Sequence, residues 1–340
     1  MEVRPPLAEA AAHARRAERL GYQGLSVPEA VHDGMLVALL CLEHTRELRV
    51  ATGALVAFAR SPMLVAQGAW DLQRLSGGRF ELGLGSQVRG NLEGRFGVAW
   101  TPPAPRMRDY VRALRAVFAR WQDGTPLAFE SEHYRLTRMQ PYFDPGPLEH
   151  AAPPIWLGAV NPGMLRAAGE VGDGALLHPT NSDPRTLREV ARPALAAGAA
   201  RAGRSADAVA IHACPLIATG RTADELAASR ENIRETLAFL YSTPAYWPAL
   251  VAHGWGEVGE RLHGLSRAGA WGEMRGLLTD EMLAALVPQG LYPEIADILL
   301  EWYGGLAGRI AFPLPADPAH DAEIAKVVTR LRSGSMIPRS

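Results

Sequence analysis

Two spacings of apolar residues recur along most of the chain, and together they predict alternating strands and helices. Apolar positions three and four residues apart predict helices over 7–20, 62–75, 105–121 and 222–241. Short, mostly apolar runs predict seven strands at 24–27, 48–58, 79–85, 155–160, 175–178, 209–218 and 309–314, of which 48–58 is rich in small and β-branched residues. Strands that alternate with helices along a whole chain are typical of a parallel α/β sheet.

A (β/α)8 TIM barrel needs one strand more than this pattern shows. The missing strand belongs before the first helix, where either the stub at residues 2–4 supplies it or the barrel starts upstream. An open, doubly wound sheet is the alternative, but that fold normally offers a glycine-rich phosphate loop. We therefore predict an α/β TIM barrel whose first strand is short or truncated, as a single domain over residues 1–340. Residues 125–143 and 244–290 break the alternation and are predicted to be inserts over the C-terminal face.

Charge and common motifs narrow the function classes. The chain has 35 Lys and Arg against 36 Asp and Glu, so it lacks the positive excess of a nucleic-acid or anionic-membrane binder. Its longest apolar run, residues 35–42, is too short to cross a bilayer, and no leader pattern opens the sequence, so we expect a cytoplasmic protein. The only lysine, Lys326, follows alanine, which excludes a P-loop. The ten histidines show no zinc spacing, and no metal site is predicted.

Several segments together resemble the bacterial luciferase-like superfamily of flavin-dependent enzymes. They are AERLGY from Ala17, the Thr52-Gly53 pair, Arg60-Ser61-Pro62, SGGRFELGLGS from Ser76, and PPIWLGAVNPGMLRAAGEVGDGALLHP from Pro153. The match covers about residues 7–315, and SGGRFELGLG is its most specific piece. Within the superfamily the chain is most similar to oxidoreductases that depend on the deazaflavin coenzyme F-420. The family fold is a TIM barrel, which agrees with the strand and helix pattern.

The resemblance implies two groups of cofactor-binding residues. The first lies at strand ends, where the family has a cis peptide bond under the isoalloxazine ring and backbone amides that contact the cofactor: Gly53, Ala54, Gly85, Ser86 and Gln87. The second lies where strand 155–160 leads into a helix, whose free amides and dipole suit a phosphate: Asn161, Gly163 and Met164. A tight turn and a barrel strand with small inward residues would explain the same glycines without a cofactor.

The candidate acid–base residues depart from the family pattern. Many F-420-dependent members carry Asp-His near the end of the second strand, whereas residues 28–33 here read PEAVHD, with Ala30 at the histidine position. Glu29 is a candidate for the acidic partner and His32 for the histidine, although His32-Asp33 equally suits a helix cap. His178 follows a predicted strand, and barrel strands end at the active-site face, so it is the preferred acid–base candidate.

Three functions stay open from the sequence. The favoured one is hydride transfer between coenzyme F-420 and an unidentified organic substrate. The alternatives are an FMN-dependent monooxygenase supplied by a separate reductase and a non-catalytic flavin-binding barrel, which the missing Asp-His pair keeps open. Expected partners are a small organic molecule and a flavin or F-420 reductase, with no nucleic acid or membrane, and a homodimer as the commonest assembly. Three arginines after strand 79–85 are candidates for binding the anionic F-420 tail: Arg89, Arg95 and Arg106.

Overall fold

The computed structural model describes residues 6–334, so the predicted strand stub at residues 2–4 lies outside the described residues. The strands are β1 (Gly24–Val27), β2 (Arg49–Thr52), β3 (Leu55–Val56), β4 (Phe80–Gly85), β5 (Phe129–Glu130), β6 (Arg135–Leu136), β7 (Ile155–Ala159), β8 (Gly174–Leu177), β9 (Ala210–Ala213), β10 (Ala218–Gly220), β11 (Gln289–Leu291) and β12 (Arg309–Ile310). The helices are α1 (Ala10–Arg19), α2 (Gly34–Glu43), α3 (Pro62–Leu75), α4 (Arg89–Gly94), α5 (Pro103–Asp123), α6 (Pro162–Val171), α7 (Pro184–Thr186), α8 (Arg192–Arg201), α9 (Ala223–Tyr241), α10 (Pro248–Ala252), α11 (Gly256–Arg267), α12 (Trp271–Met274), α13 (Asp280–Leu286), α14 (Tyr292–Tyr303) and α15 (Asp321–Ser333). Parallel strands separated by helices confirm the predicted α/β class.

The chain forms two compact units, and the single domain predicted for residues 1–340 stays a prediction. The first unit contains the described chain from residue 6 to Gly158 together with residues 166–174 and 198–209. Its parallel strands lie in the order β1-β2-β4-β7, and β3 pairs with the end of β4. Residues 80–84 of β4 are all buried, as expected for a parallel strand that is covered on both faces.

The predicted strand 48–58 is wrong as a continuous element. The structure divides it into β2 and β3, and both pair with β4. At the break the amide of Gly53 donates to the carbonyl oxygen of Val27 at 2.7 Å, and pairing resumes at Leu55 opposite Leu84. Residues 53 and 54 thus lie between two short parallel ladders and outside either of them.

Helix starts lie where short polar side chains can cap them. The Asp33 carboxylate accepts from the amides of Met35 at 2.8 Å and Leu36 at 3.4 Å, and α2 follows. Ser61 accepts from the amide of Met63 at 3.2 Å, with proline as the first residue of α3. The Ser61 cap confirms the predicted start of the helix at residue 62, and the Asp33 cap agrees with the helix cap that His32-Asp33 suits.

The second unit contains residues 159–165 and 175–197 and the described chain from Ala210 onward. Its strand order is β8-β9-β12, and β10 pairs with β11 in a separate two-stranded sheet. The predicted strand 209–218 is therefore wrong: β9 ends at Ala213, and the amide of Cys214 donates to the Ser182 hydroxyl at 3.0 Å. Pro215 follows, and proline has no amide hydrogen with which to continue a ladder.

The two predicted inserts have different structures. Residues 125–143 contain the antiparallel pair β5-β6, whereas residues 244–290 contain the helices α10 to α13. Leu250, Leu262 and Leu283 of these helices are fully buried in one apolar cluster. Trp247 packs against that cluster and donates from Nε1 to the Tyr241 carbonyl at 2.7 Å. The aromatic residues of the second insert thus include members of its own core.

Arginine supplies the cations of the ion pairs in both units. Arg120 contacts Asp144 at 3.0 Å in the first unit, and Arg230 contacts Asp280 at 2.9 Å in the second. Lys326, the only lysine, is exposed on α15. Within residues 6–334 no helix combines the length and the apolar character that a bilayer-spanning segment needs.

Candidate functional site

The candidate residues of the first unit centre on the peptide bond between Gly53 and Ala54. That bond is cis, as the resemblance implies. The Thr52 hydroxyl donates to the Gly83 carbonyl at 2.8 Å and accepts from the Gly83 amide at 2.9 Å. A Cβ built on Gly83 would lie 1.9 Å from the Thr52 carbonyl oxygen, so only glycine fits this close approach.

Two further glycines lie beside this peptide bond at the ends of neighbouring strands. A Cβ on Gly85 would lie 3.2 Å from the Ala54 methyl, and a Cβ on Gly158 would lie 3.8 Å from it. Residues 53, 54, 85 and 158 are all half-buried, so solvent reaches this backbone. We call the surface formed by Gly53, Ala54, Gly85 and Gly158 the backbone platform. Added side chains would occupy the space above it, and its small residues suit a flat ring that stacks on peptide groups.

Gln87 follows this platform in an uncommon backbone conformation. Its φ is +61°, in the left-handed region that glycine usually occupies. Its side-chain oxygen accepts from the Val88 amide at 2.9 Å and from the Asn91 side chain at 3.1 Å, which ties the turn to the start of α4. Ser86 and Gln87 are half-buried, so the structure leaves them accessible to a ligand.

Glu29 is held by a network of hydrogen bonds at the end of β1. Its carboxylate accepts from Arg60 at 2.5 and 2.9 Å and from the Val56 amide at 2.6 Å. Arg60 also donates to Asp33 at 2.8 Å. Burial opposes the charge on Arg60, but the hydrogen bonds to Asp33 and Glu29 outweigh burial and raise its pKa. Burial likewise acts to raise the pKa of Asp33, and its hydrogen bonds to Arg60 and Met35 outweigh this and lower it.

This network makes Arg60 a structural ion-pairing residue of the first unit. The Glu29 side chain is only 6% exposed, and both of its oxygens are engaged. His32 is half-buried nearby in the chain, and the Ala30 carbonyl accepts from Arg95 at 2.7 Å. The acid–base roles of Glu29 and His32 stay predictions.

The three arginines considered for the F-420 tail all have partners within the first unit. Arg89 pairs with Glu93 at 3.1 Å, and Arg95 bonds to the Ala30 carbonyl. Arg106 donates to the Tyr134 hydroxyl at 3.0 Å and lies over the Phe58 ring. Because Arg106 packs between aromatic rings, its guanidinium also has a role in the fold. The spacing of Arg89 and Glu93 on a helix indicates their pair, whereas sequence spacing does not indicate the contacts of Arg95 and Arg106.

In the second unit, Asn161 caps the start of α6. Its side-chain oxygen accepts from the Met164 amide at 3.1 Å, and its carbonyl accepts from Leu165 at 3.0 Å. Pro162 has no amide hydrogen. The Gly163 amide is therefore the donor that the first turn of α6 leaves for an anion such as a phosphate.

His178 lies directly after β8, where the sequence predicts it. Its ring stacks on Tyr246 of the second insert, with ring centroids 4.5 Å apart and planes within 6°. Nδ1 lies 2.9 Å from the Thr180 hydroxyl and accepts from the Thr180 amide at 3.4 Å. Burial lowers the pKa of His178 to about 4, so the imidazole is neutral at pH 7.

The turn that carries His178 is fixed at several points. The Asn181 side chain accepts from the His178 amide at 2.8 Å and donates to the Ala159 carbonyl at 3.0 Å. Ser182 donates to the His178 carbonyl at 2.9 Å, and Tyr241 donates to the Thr180 carbonyl at 3.2 Å. These residues were not predicted from the sequence, and the one available signal is that a short polar side chain such as that of Asn181 readily bonds to neighbouring backbone in a turn.

Comparison with known proteins identifies the family. The luciferase-like monooxygenase family matches residues 1–309. An uncharacterized protein of Mycobacterium tuberculosis is 45% identical over 89% of this chain and 89% of its own length. The 5,10-methylenetetrahydromethanopterin reductase of Archaeoglobus fulgidus is 31% identical over 78% of this chain and 76% of its own.

A solved structure supports the predicted architecture. The coenzyme F-420-dependent tetrahydromethanopterin reductase of Methanopyrus kandleri superposes with a TM-score of 0.77 at 21% identity, covering 96% of this chain and 95% of the other. At that identity the likeness shows the fold, and it confirms the TIM-barrel class predicted from the sequence. The chain belongs to the luciferase-like monooxygenase family of oxidoreductases.

Proposed function

We propose that this protein transfers a hydride between coenzyme F-420 and a small organic substrate. The observation that carries the proposal is the backbone platform, where three glycines leave solvent-accessible backbone with a single methyl group. The Archaeoglobus fulgidus relative, at 31% identity, is a 5,10-methylenetetrahydromethanopterin reductase, and the tetrahydromethanopterin reductase of Methanopyrus kandleri is described as coenzyme F-420-dependent. Together they support the choice of deazaflavin over flavin.

The residues present fit such a cofactor. Within the first unit, Gly53, Ala54 and Gly85 suit the ring, and Ser86 and Gln87 suit backbone contacts with the cofactor. Within the second unit, the Gly163 amide suits a phosphate. Asn161 and Met164 orient that amide by capping α6. A reduced deazaflavin supplies a hydride and, unlike reduced FMN, does not pass its electrons readily to oxygen.

The side chains of this protein would position the reacting groups, and the deazaflavin would supply the hydride. Arg60 holds Glu29 and Asp33, which fixes the segment between β1 and α2. His178 offers an imidazole that is neutral at pH 7 and held by Thr180 and Tyr246.

A titration of the purified protein with F-420 and with FMN, followed by fluorescence, tests the cofactor. We expect F-420 to bind and FMN to bind at least tenfold more weakly. Gly85→Val should weaken F-420 binding at least tenfold, because a branched side chain would cover the backbone platform. Gly90→Val is the matched control, since a Cβ at Gly90 meets nothing within 4 Å. Micromolar FMN binding without F-420 binding would contradict the proposal and favour the FMN-dependent monooxygenase.

The other two functions predict different results in the same experiment. A monooxygenase would bind reduced FMN from a separate reductase and consume oxygen, in line with the name of the family. A non-catalytic barrel would bind F-420 but leave its redox state unchanged with every substrate offered. The cytoplasmic location and the reductase partner stay predictions from the sequence.

We also propose that the chain forms a homodimer through α2 and α3. Helix α2 is apolar on all sides, a pattern typical of a fully buried helix, yet Leu36 is 55% exposed and Leu64 of α3 is 64% exposed. A groove of about 490 Å³ lies between these helices, with Asp71 and Arg74 at its edge. A twofold axis would bring the same patch of two copies together and place opposite charges opposite each other.

Light scattering during size-exclusion chromatography tests the assembly. We expect about twice the chain mass of 36.7 kDa for the wild type and a monomer for Leu36→Glu/Leu64→Glu. Val251→Glu is the control, because Val251 is equally exposed at 64% but lies on α10. A monomeric wild type would contradict the homodimer.

A further inference from the structure

We propose that His178 acts as a neutral hydrogen-bond donor through Nε2 to an acceptor oxygen of the substrate, and that Thr180 is the positioning residue that sets this tautomer. The substrate assignment rests on the proposed function, whereas the tautomer rests on the contacts of His178 alone.

The tautomer follows from which group can donate to Nδ1. A backbone amide can only donate, and the Thr180 amide lies 3.4 Å from Nδ1 in hydrogen-bond geometry. Nδ1 must therefore be the acceptor. The Thr180 hydroxyl, 2.9 Å away, then donates its own hydrogen to the same nitrogen. In a neutral imidazole the proton is then on Nε2.

Burial keeps this imidazole uncharged. Its ring stacks on the uncharged Tyr246 ring, and its Nδ1 contacts the uncharged hydroxyl and amide of Thr180. Burial lowers the pKa of His178 to about 4. His178 is consequently not an imidazolium near pH 7, and it cannot give up an imidazolium proton there.

The imidazole ring also has little freedom to flip, a motion that would change the positions of Nδ1 and Nε2. Tyr246 covers one face, and the Asn181 and Ser182 side chains hold the backbone of His178 on both sides. Thr180 itself is fully buried, and Tyr241 fixes its carbonyl. Among the described residues, Nε2 has no hydrogen-bond partner of its own, so it is left for a ligand.

A neutral N–H donor recognises an oxygen lone pair, so the structure favours an aldehyde or ketone as the substrate. When the carbonyl carbon gains a hydride, the electron pair of the C=O bond moves to oxygen. The Nε2–H group stabilises that charge by a hydrogen bond, without transferring its proton, and water supplies the proton that completes the alcohol. Reduced deazaflavin is the hydride donor, so the two electrons balance. His178 would thus polarise the carbonyl, which differs from the acid–base role suggested by the sequence.

Nitrogen-15 labelling of the histidines tests the tautomer without any cofactor. Long-range proton–nitrogen spectra distinguish the two neutral tautomers and the imidazolium, and His178→Gln identifies the His178 signals. We expect the Nε2–H form in the wild type from pH 5.5 to pH 8. Thr180→Val should leave a mixture of tautomers, because one of two donors to Nδ1 is removed, and Thr180→Ser should restore the Nε2–H form. A wild-type Nδ1–H form, or an imidazolium at pH 6, would overturn the assignment, whether or not Thr180→Val folds.

A second titration separates the substrate assignment from the proposed function. Cyclohexanone is added to the labelled protein with and without F-420, and cyclohexane is the control. We expect the ketone alone to move the Nε2–H proton signal downfield. An Nε2–H signal that does not shift when the ketone is added, either with or without F-420, would overturn the donor role. Failure of F-420 to bind would instead contradict the proposed function and leave the tautomer intact.

Discussion

Replacing Gly83 by alanine is expected to destabilise the first unit by about 3 kcal/mol or more. The new methyl group would start 1.9 Å from the Thr52 carbonyl oxygen and 3.0 Å from the carbonyl carbon. Both are backbone atoms, so the clash cannot be relieved by moving a flexible side chain. Two hydrogen bonds between the Thr52 hydroxyl and the Gly83 backbone also hold the two strands together. Urea denaturation followed by circular dichroism measures the change as a lower midpoint.

Gly94→Ala is the matched control for this substitution. Gly94 lies in α4, and a Cβ there meets nothing within 4 Å. Alanine favours a helix over glycine by roughly 0.8–1 kcal/mol, so this variant should be as stable as the wild type or slightly more stable. Equal urea midpoints for Gly83→Ala and the wild type would show that β2 and β4 can move apart without loss of stability, which would contradict the described packing.

Arg60→Leu is expected to have the next largest effect, a loss of about 3–5 kcal/mol at pH 7. The substitution leaves the buried Glu29 carboxylate with only the Val56 amide and removes the ion pair to Asp33. Because the pKa of Asp33 is lowered in the folded state, its contribution is present at neutral pH and is lost as the pH falls through that lowered value. The difference in the free energy of unfolding between the variant and the wild type should therefore decrease in acid. Parallel urea titrations at pH 7 and at steps below pH 3.8, the ordinary pKa of the Asp33 carboxyl, measure the change.

Arg89→Leu serves as the control for the loss of an arginine. Arg89 forms an exposed pair with Glu93 one helical turn away, and such pairs contribute about 0.3–0.5 kcal/mol. Similar losses of stability for the two variants would mean that the Arg60 network stabilises the protein no more than an exposed ion pair does. An Arg60 effect that grows in acid would contradict the ion-pair explanation.

The sequence predicts those parts of the fold that depend on neighbouring residues. Asp33 and Ser61 cap their helices because their side chains reach amides two residues later. The mostly apolar segment 79–85 predicts the strand β4, and proline is the first residue of α3, where no amide hydrogen is needed. These elements need no knowledge of distant residues.

Contacts between distant residues were not predicted. Tyr246 lies 68 positions after His178, and no local pattern indicates that the two rings stack. Arg106 follows β4, as a rim residue would, but its contact with Tyr134 depends on the path of the first insert. The resemblance located the cis peptide bond between Gly53 and Ala54, which spacing and composition did not indicate.

The near absence of lysine affects how the protein should respond to alkali. Guanidinium groups stay charged beyond pH 12, so pairs such as Arg120 with Asp144 persist where ammonium pairs would be lost. Tyrosine then sets the alkaline limit. Burial raises the pKa of Tyr110 and Tyr241, so above pH 10 the unfolded chain releases phenolic protons that the folded chain retains. Stability falls from that pH upward, and the ionising phenols, rather than the surface cations, determine where the protein unfolds in base.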